Sequence, residues 1–210
     1  MLTAKSTSGV KIMNKRISFL LKAIFIILVL ILYVFATNWF FNKNVSYTNN
    51  LSDKKTLIVY YSHSNHTEKI ANMVKQHLNC DVKKINAEEY ENINAVDLTN
   101  LVTEQIQKNY LPKTEKIDMT GYNVIFIGSP VWKGDLSLPV KSFLINNDFN
   151  NKTIIPFYTF GGYVDKSKLD NEIKKLSNND NVLPSFLTVN CKFTFIEYRL
   201  IRWLNKLHLN

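Results

Sequence analysis

Six polar residues in succession, Ser62, His63, Ser64, Asn65, His66 and Thr67, interrupt a chain that is apolar just before them and helically periodic just after. Leu57 to Tyr61 runs without a polar break, as a strand buried on both faces does. Ile70, Ala71, Val74 and Leu78 then recur at helical spacing. A helix that opens just past such a strand directs its unpaired N–H groups and positive dipole end into the turn, where an anion, phosphate above all, fits. The plainer reading is that Ser64 and Thr67 only cap the helix. Two further clusters follow apolar runs. Pro130-Val131-Trp132-Lys133-Gly134 comes after Asn123–Gly128 and offers an indole face and a glycine free to take an unusual backbone angle. Thr159-Phe160-Gly161-Gly162-Tyr163 closes Thr153–Tyr158, and its paired glycines permit close backbone approach. A phosphate holder, an aromatic face and an open backbone together suit a flat aromatic cofactor with a phosphate tail. No acid/base pair or nucleophile stands out, so no catalytic residue is assigned. His63 and His66 lack a third ligand for a metal, and Cys80 and Cys191 form no CxxC pair.

The elements that must carry these clusters alternate. Strands are expected at Leu57–Tyr61, Asp81–Ile85, Asn123–Gly128, Thr153–Tyr158 and Val182–Val189. Asp81–Ile85 has the lysines of an edge strand, and Pro156 by the local rule demotes the fourth run. Between them lie a helix after Thr67, one amphipathic helix marked by Leu98, Leu101, Val102 and Ile106, a helix capped by Ser137 with Val140, Phe143 and Leu144 inward, and a helix opening on Ser167-Lys168-Leu169-Asp170. A last helix carries Ile196, Leu200, Trp203, Leu204 and Leu207 on one face. Tyr90 stands alone in the thinly patterned stretch 86–121, more a core plug or surface aromatic than a ligand cover. The class is α/β with a parallel sheet, in which ligands bind beyond the carboxyl ends of the strands, so the three clusters should meet there.

The net charge of +9 is uneven: six of the 26 Lys and Arg and none of the 17 Asp and Glu lie in residues 1–50, and the remaining 20 cations against 17 acids leave only +3. A domain so weakly basic is not expected to bind nucleic acid. Residues 19–41 form a transmembrane helix or signal anchor, apolar but for Lys22 near its start and Thr37 and Asn38 near its end. Residues 1–18 are a basic, cytoplasmic N-terminus by the positive-inside rule, residues 42–54 a polar linker, and residues 55–210 one domain on the extracytoplasmic side. Val34-Phe35-Ala36 leaves cleavage of a signal peptide as the rival, and residues 1–12, upstream of Met13, read as a disordered or misassigned extension.

From Lys55 to Leu207 the chain resembles the flavodoxin-like family, in particular flavodoxins whose second helix is replaced by an irregular insertion. The motifs that carry the likeness are YYSHSNHT at 60–67, YNVIFIGSPVWKG at 122–134, KSFL at 141–144 and KTIIPFYTFGGY at 152–163. The resemblance implies a doubly wound five-stranded parallel sheet in the order 2-1-3-4-5 with FMN at its carboxyl edge. It also implies a proline tolerated in the fourth strand, and two cysteines left unpaired at opposite edges. It assigns the phosphate to the hydroxyls of Ser62, Ser64 and Thr67 and the backbone N–H groups of His63 to Thr67. Trp132 would pack on or flank the isoalloxazine, and the backbone of Lys133, Phe160, Gly161 and Gly162 would address its polar rim. Pro130, Val131, Gly134, Thr159 and Tyr163 complete the loops. The chain departs from the family where Thr-Gly-Asn-Thr becomes Ser64-Asn65-His66-Thr67, where Lys133 replaces a second aromatic, and where Phe160 replaces a serine. Of these, Asn65 is the least costly substitute for a left-handed glycine, and Lys133 beside the flavin would raise its potential. The function implied is a membrane-anchored, FMN-dependent electron carrier or reductase whose partner is a membrane redox protein or quinone. The alternative is a degenerate flavodoxin fold, without flavin, serving as a tethered interaction module.

Overall fold

The computed structural model describes residues 4–43, 47, 51, 54–189 and 195–207. Two units are present, residues 1–45 and 46–210. In the first, α1 (Ala4–Lys43) is a single 40-residue helix. Its segment Ile17–Thr37 has a mean hydropathy of 2.9 with nothing buried, long and apolar enough to cross a membrane. Thr37, the polar residue within that run, donates its hydroxyl to the carbonyls of Tyr33 (2.9 Å) and Val34 (3.0 Å), so it presents no open donor. The helix starts well before the apolar run, so residues 4–18, including most of the expected disordered extension, are helical in backbone.

The second unit alternates strands and helices: β1 (Thr56–Tyr60), α2 (His66–Leu78), β2 (Asp81–Lys84), α3 (Ala95–Gln107), β3 (Val124–Trp132), β4 (Asp135–Leu136), α4 (Leu138–Asn146), β5 (Thr153–Phe160), α5 (Lys166–Ser177), β6 (Phe186–Val189) and α6 (Ile196–Leu204). The sheet runs β2-β1-β3-β5-β6, all parallel, with β4 folded back antiparallel on the end of β3. Apart from that two-residue hairpin strand, this is the doubly wound order expected, and β2 and β6 form the two edges. Cys80, beside one edge, is a free thiol that burial pushes up to about 11. Cys191 lies outside the described residues.

Alternation along each strand supplies two cores. Leu57, Val59, Ile125 and Ile127 face α3, α4 and α5, whereas Ile58, Tyr60, Phe126, Ile155 and Phe157 face α2 and α6. Leu51, 3% exposed, belongs to the second core and Tyr47 packs against it, so the stretch expected to be a free linker is partly built into the domain.

Pro156 sits within β5, between neighbours on both sides, for a visible reason. Ile154 directs both its N–H and its C=O toward β6, to Asn181 O (2.9 Å) and from Leu183 N (2.9 Å). Pro156, two residues on, faces the same way. There residues 183–185 leave the ladder, which resumes only at Phe157 and Phe186, so no donor is missed at the proline. The last strand is accordingly shorter than expected, with Val182 only a bridge to Ile154. The start of α5 also differs: Asp165, not Ser167, caps it, accepting from Lys168 N at 3.2 Å.

Gly128, on β3, leaves no room for a side chain between β1 and β5. A Cβ there would lie 2.3 Å from Phe157 Cζ and 2.8 Å from Tyr60 Cβ, both in the buried core. Gly128→Ala is therefore expected to cost about 1–3 kcal/mol through overpacking, measured by urea unfolding of the full chain in detergent. Gly162→Ala, whose Cβ would meet nothing within 4 Å, should cost far less.

Candidate functional site

The carboxyl ends of β1, β3 and β5 do bring the three polar clusters to one edge of the sheet. At the end of β1 the chain turns through Ser62, His63, Ser64 and Asn65 into α2. Asn65 adopts φ 61°, ψ 3°, the left-handed conformation in which the glycine of the family's loop would sit without strain. It is the N-cap of α2, and its side chain makes no capping hydrogen bond. The plain capping role for Ser64 or Thr67 is therefore not what the structure shows. Thr67 lies inside the helix, 1% exposed, and its hydroxyl pairs with that of Thr159 at 2.8 Å. This bond ties the first loop to the end of β5.

Ser62 is one of four buried hydroxyls without a partner among the described residues, and the one that lies in these clusters. It is 4% exposed, and its Oγ is fully buried without any hydrogen-bond partner. An orphaned hydroxyl in a folded chain costs desolvation with no return. Ser62 borders a cavity of about 210 Å³, shared with Tyr61, His63, Asn86, Tyr90 and Glu91. Ser64 and Asn65 are exposed, and His63 and His66 are half-buried. A helix start without a cap from its N-cap side chain, a left-handed turn and an unspent hydroxyl suit an anion.

The second cluster is not the loop its composition suggests. β3 continues past Gly128 through Ser129, Pro130 and Val131 to Trp132, and the chain reverses in two residues, Lys133 (φ 52°) and Gly134 (φ 74°). Two successive left-handed residues make the tight hairpin whose twist matches its strands. At its base Ser129, 0% exposed, accepts from Ser137 N (3.1 Å) and shares a hydrogen bond with the Ser137 hydroxyl (3.1 Å). Ser137 thus begins α4 without capping it by its side chain. Asp135 binds Lys141 Nζ (2.9 Å) and lies 3.5 Å from Lys168 Nζ, while Lys141 also reaches Glu172 (3.3 Å), so the hairpin is pinned to α4 and α5.

Trp132 is half-buried, and its ring meets Tyr61 at 5.5 Å and Tyr90 at 5.2 Å, both edge-on. Burial, with help from nearby glutamates, raises both tyrosine hydroxyls well above their ordinary range, so both stay neutral donors. Tyr61 and Tyr90 were not among the expected site residues. Tyr61 looked like the last residue of a strand and Tyr90 like an isolated aromatic, and no local pattern distinguishes either.

In the third cluster Phe160 is half-buried, Gly161 and Gly162 are exposed, and Tyr163 is 89% exposed. Protein packing gives no reason for glycine at 162, since a Cβ there would be in open space. The helix that follows this loop, α5, reaches the hairpin, with Lys168 Nζ donating to Gly134 O at 3.4 Å.

Among solved structures, one from Bacteroides eggerthii DSM 20697 superposes with a TM-score of 0.63 at 20% identity, covering 75% of this chain and all of that one. A structure from Bacteroides uniformis ATCC 8492 does so with 0.63 at 22%, covering 73% and 99%. At these identities the likeness shows the fold. A flavoprotein from Lactobacillus acidophilus NCFM, solved in complex with FMN, is 26% identical with a TM-score of 0.50, over 65% of this chain and 92% of that one. No curated protein matches the chain. Residues 55–207, nearly the whole second unit, match the family model described as flavodoxin, and with this sheet order and these loops the chain belongs to the flavodoxin family.

Proposed function

We propose that this chain is an FMN-binding electron-transfer flavodoxin held at a membrane by α1. The observation that carries the reading is Ser62: a buried hydroxyl with no partner, just ahead of a helix whose N-cap residue, Asn65, makes no side-chain capping bond. That arrangement fits a phosphate, and the FMN complex of the Lactobacillus acidophilus relative supports FMN as the group that bears it. Ser62 Oγ would donate to a phosphate oxygen, with the first N–H groups of α2 and the dipole of the helix completing the cradle. Ser64 adds an exposed hydroxyl. Thr67, through its bond to Thr159, holds the loop rather than spending its hydroxyl on the ligand alone. Trp132 would give the isoalloxazine an apolar wall that excludes water from one side. The open backbone of Phe160, Gly161 and Gly162, with that of Lys133, would serve its polar rim. FMN, when bound, supplies the redox chemistry. The protein's part is to orient it and to set its potential, Lys133 doing so as a cation fixed on the hairpin next to Trp132.

The topology we infer places residues 1–18 inside and the domain outside, because the cations cluster ahead of the apolar segment. A domain so placed is out of reach of cytosolic nicotinamides, which makes a membrane redox protein or a quinone the electron source. Protease added to intact cells should then digest the domain; full protection would overturn the orientation.

Flavin fluorescence quenching tests the site. The full chain in detergent should bind FMN stoichiometrically and riboflavin, which lacks the phosphate, much more weakly. Ser62→Ala should lower FMN affinity roughly tenfold to a hundredfold, the range for a hydrogen bond to a charged group, and leave riboflavin affinity unchanged. Equal affinity for the two ligands would overturn the phosphate site, and binding of neither would leave the tethered interaction module as the better account. Asn65→Gly should preserve both binding and stability, whereas Asn65→Val should lose about 1–2 kcal/mol in urea unfolding because a β-branched residue resists the left-handed turn. Lys133→Glu should lower the midpoint potential in a spectroelectrochemical titration; an unchanged or higher value contradicts the role given to Lys133.

A further inference from the structure

Tyr90 lies outside the three loops that close on the sheet edge, yet it is buried and hydrogen-bonded. It sits on a single 3-10 turn, Glu88–Tyr90, in the stretch between β2 and α3, and is 1% exposed. Its hydroxyl donates to Gln105 Oε1 at 2.8 Å. Gln105, on α3 and itself 7% exposed, donates from Nε2 to Glu89 Oε2 at 2.6 Å, and Glu89 Oε1 accepts from Tyr110 at 3.2 Å. The chain of bonds runs from the turn to α3 and back to the residue next to Tyr90, then on to the segment after α3. Its Tyr90–Gln105 bond is buried, and a buried bond of this kind holds one side-chain orientation.

What it holds is a ring that touches Trp132. The two centroids are 5.2 Å apart at 68°, and Tyr61, whose N–H is bonded to Gly128 O at 3.1 Å, closes the third side of the cluster at 5.5 Å from Trp132 and 6.2 Å from Tyr90. Tyr61 is set by the sheet. Trp132 ends β3 just before a two-residue turn, and part of it remains open to solvent. Its indole is only half-buried and needs a fixed neighbour to keep one orientation.

We propose that Tyr90 is a positioning residue for Trp132: the segment between β2 and α3 uses the Tyr90 ring, locked through Gln105 and Glu89, to hold the indole at the angle a flat ligand meets. The proposal rests on the FMN reading for what Trp132 receives, but the orientation of the indole is a property of the protein alone.

The test separates the two. The full chain in detergent, labelled with 5-fluorotryptophan, has three indole signals, from Trp39, Trp132 and Trp203. Trp132→Phe identifies the relevant one. Without FMN, Tyr90→Leu should shift or broaden the Trp132 signal and leave that of Trp203, in the opposite core, unmoved. With FMN it should weaken binding roughly threefold to tenfold, the equivalent of one aromatic pair. Tyr90→Phe, which keeps the ring but loses the bond to Gln105, should fall between the unaltered chain and Tyr90→Leu in both. An unmoved Trp132 signal in Tyr90→Leu, or Tyr90→Phe as damaging as Tyr90→Leu, overturns the proposal. If Tyr90→Leu also disturbs Trp203, Gln105→Leu decides: a shift confined to Trp132 supports the positioning role and an unmoved signal overturns it. No FMN binding by the unaltered chain would overturn the functional reading instead, since the fluorine spectrum is read without flavin.

Discussion

A parallel strand that ends in a helix leaves a problem at the join: the first N–H groups of the helix have no partner within it. In α2 the side chain of the N-cap residue, Asn65, does not resolve that problem. Asn65 turns the chain through a left-handed conformation, Thr67 spends its hydroxyl on Thr159, and Ser62 is buried with nothing to bond. The fold around this point is rigid. β1 has neighbours on both sides, and Gly128 lets Phe157 and Tyr60 close on it. Donors held on such a frame would meet an anion with little reorganisation.

The other two loops are held to that place by separate means. The hairpin of Lys133 and Gly134 is fixed through the carboxylate of Asp135, which meets Lys141 and Lys168, and through Ser129 at its base. Lys141 is only 18% exposed in its side chain, so this network is better shielded than a surface ion pair and resists loosening by salt more than such pairs do. The loop 160–165 is tied at one end by Thr159 and at the other by Asp165, the cap of α5, leaving Gly161, Gly162 and Tyr163 exposed between them.

Much of this was readable from residue order. The apolar runs at Leu57, Asn123 and Thr153 name the central strands because a buried parallel strand has no polar face to interrupt it. The polar knot 62–67, Trp132 and the paired glycines mark the loops by composition. What escaped the sequence depends on partners distant along the chain. Ser129 and Ser137 are ordinary serines until the hairpin brings them within 3.1 Å. Asp165 outcompetes Ser167 as a cap only because of where the loop enters the helix. Pro156 breaks the local strand rule, and becomes harmless only when β6 is seen to detach opposite it. Tyr90 is the extreme case: its partners are Gln105 on a helix, and Tyr61 and Trp132 on two different strands' ends, and no spacing announces them.

The central claim is that the join of β1 and α2 is a phosphate site. Phosphorus NMR of FMN added to the full chain in detergent tests it most directly. The account predicts a bound phosphate resonance displaced from that of free FMN and no longer titrating near pH 6, since donors that favour the dianion depress its second ionisation. In Ser62→Ala the titration should return toward that of free FMN. A single resonance that follows the shift and titration of free FMN, at protein concentrations well above those of the flavin, would contradict the account.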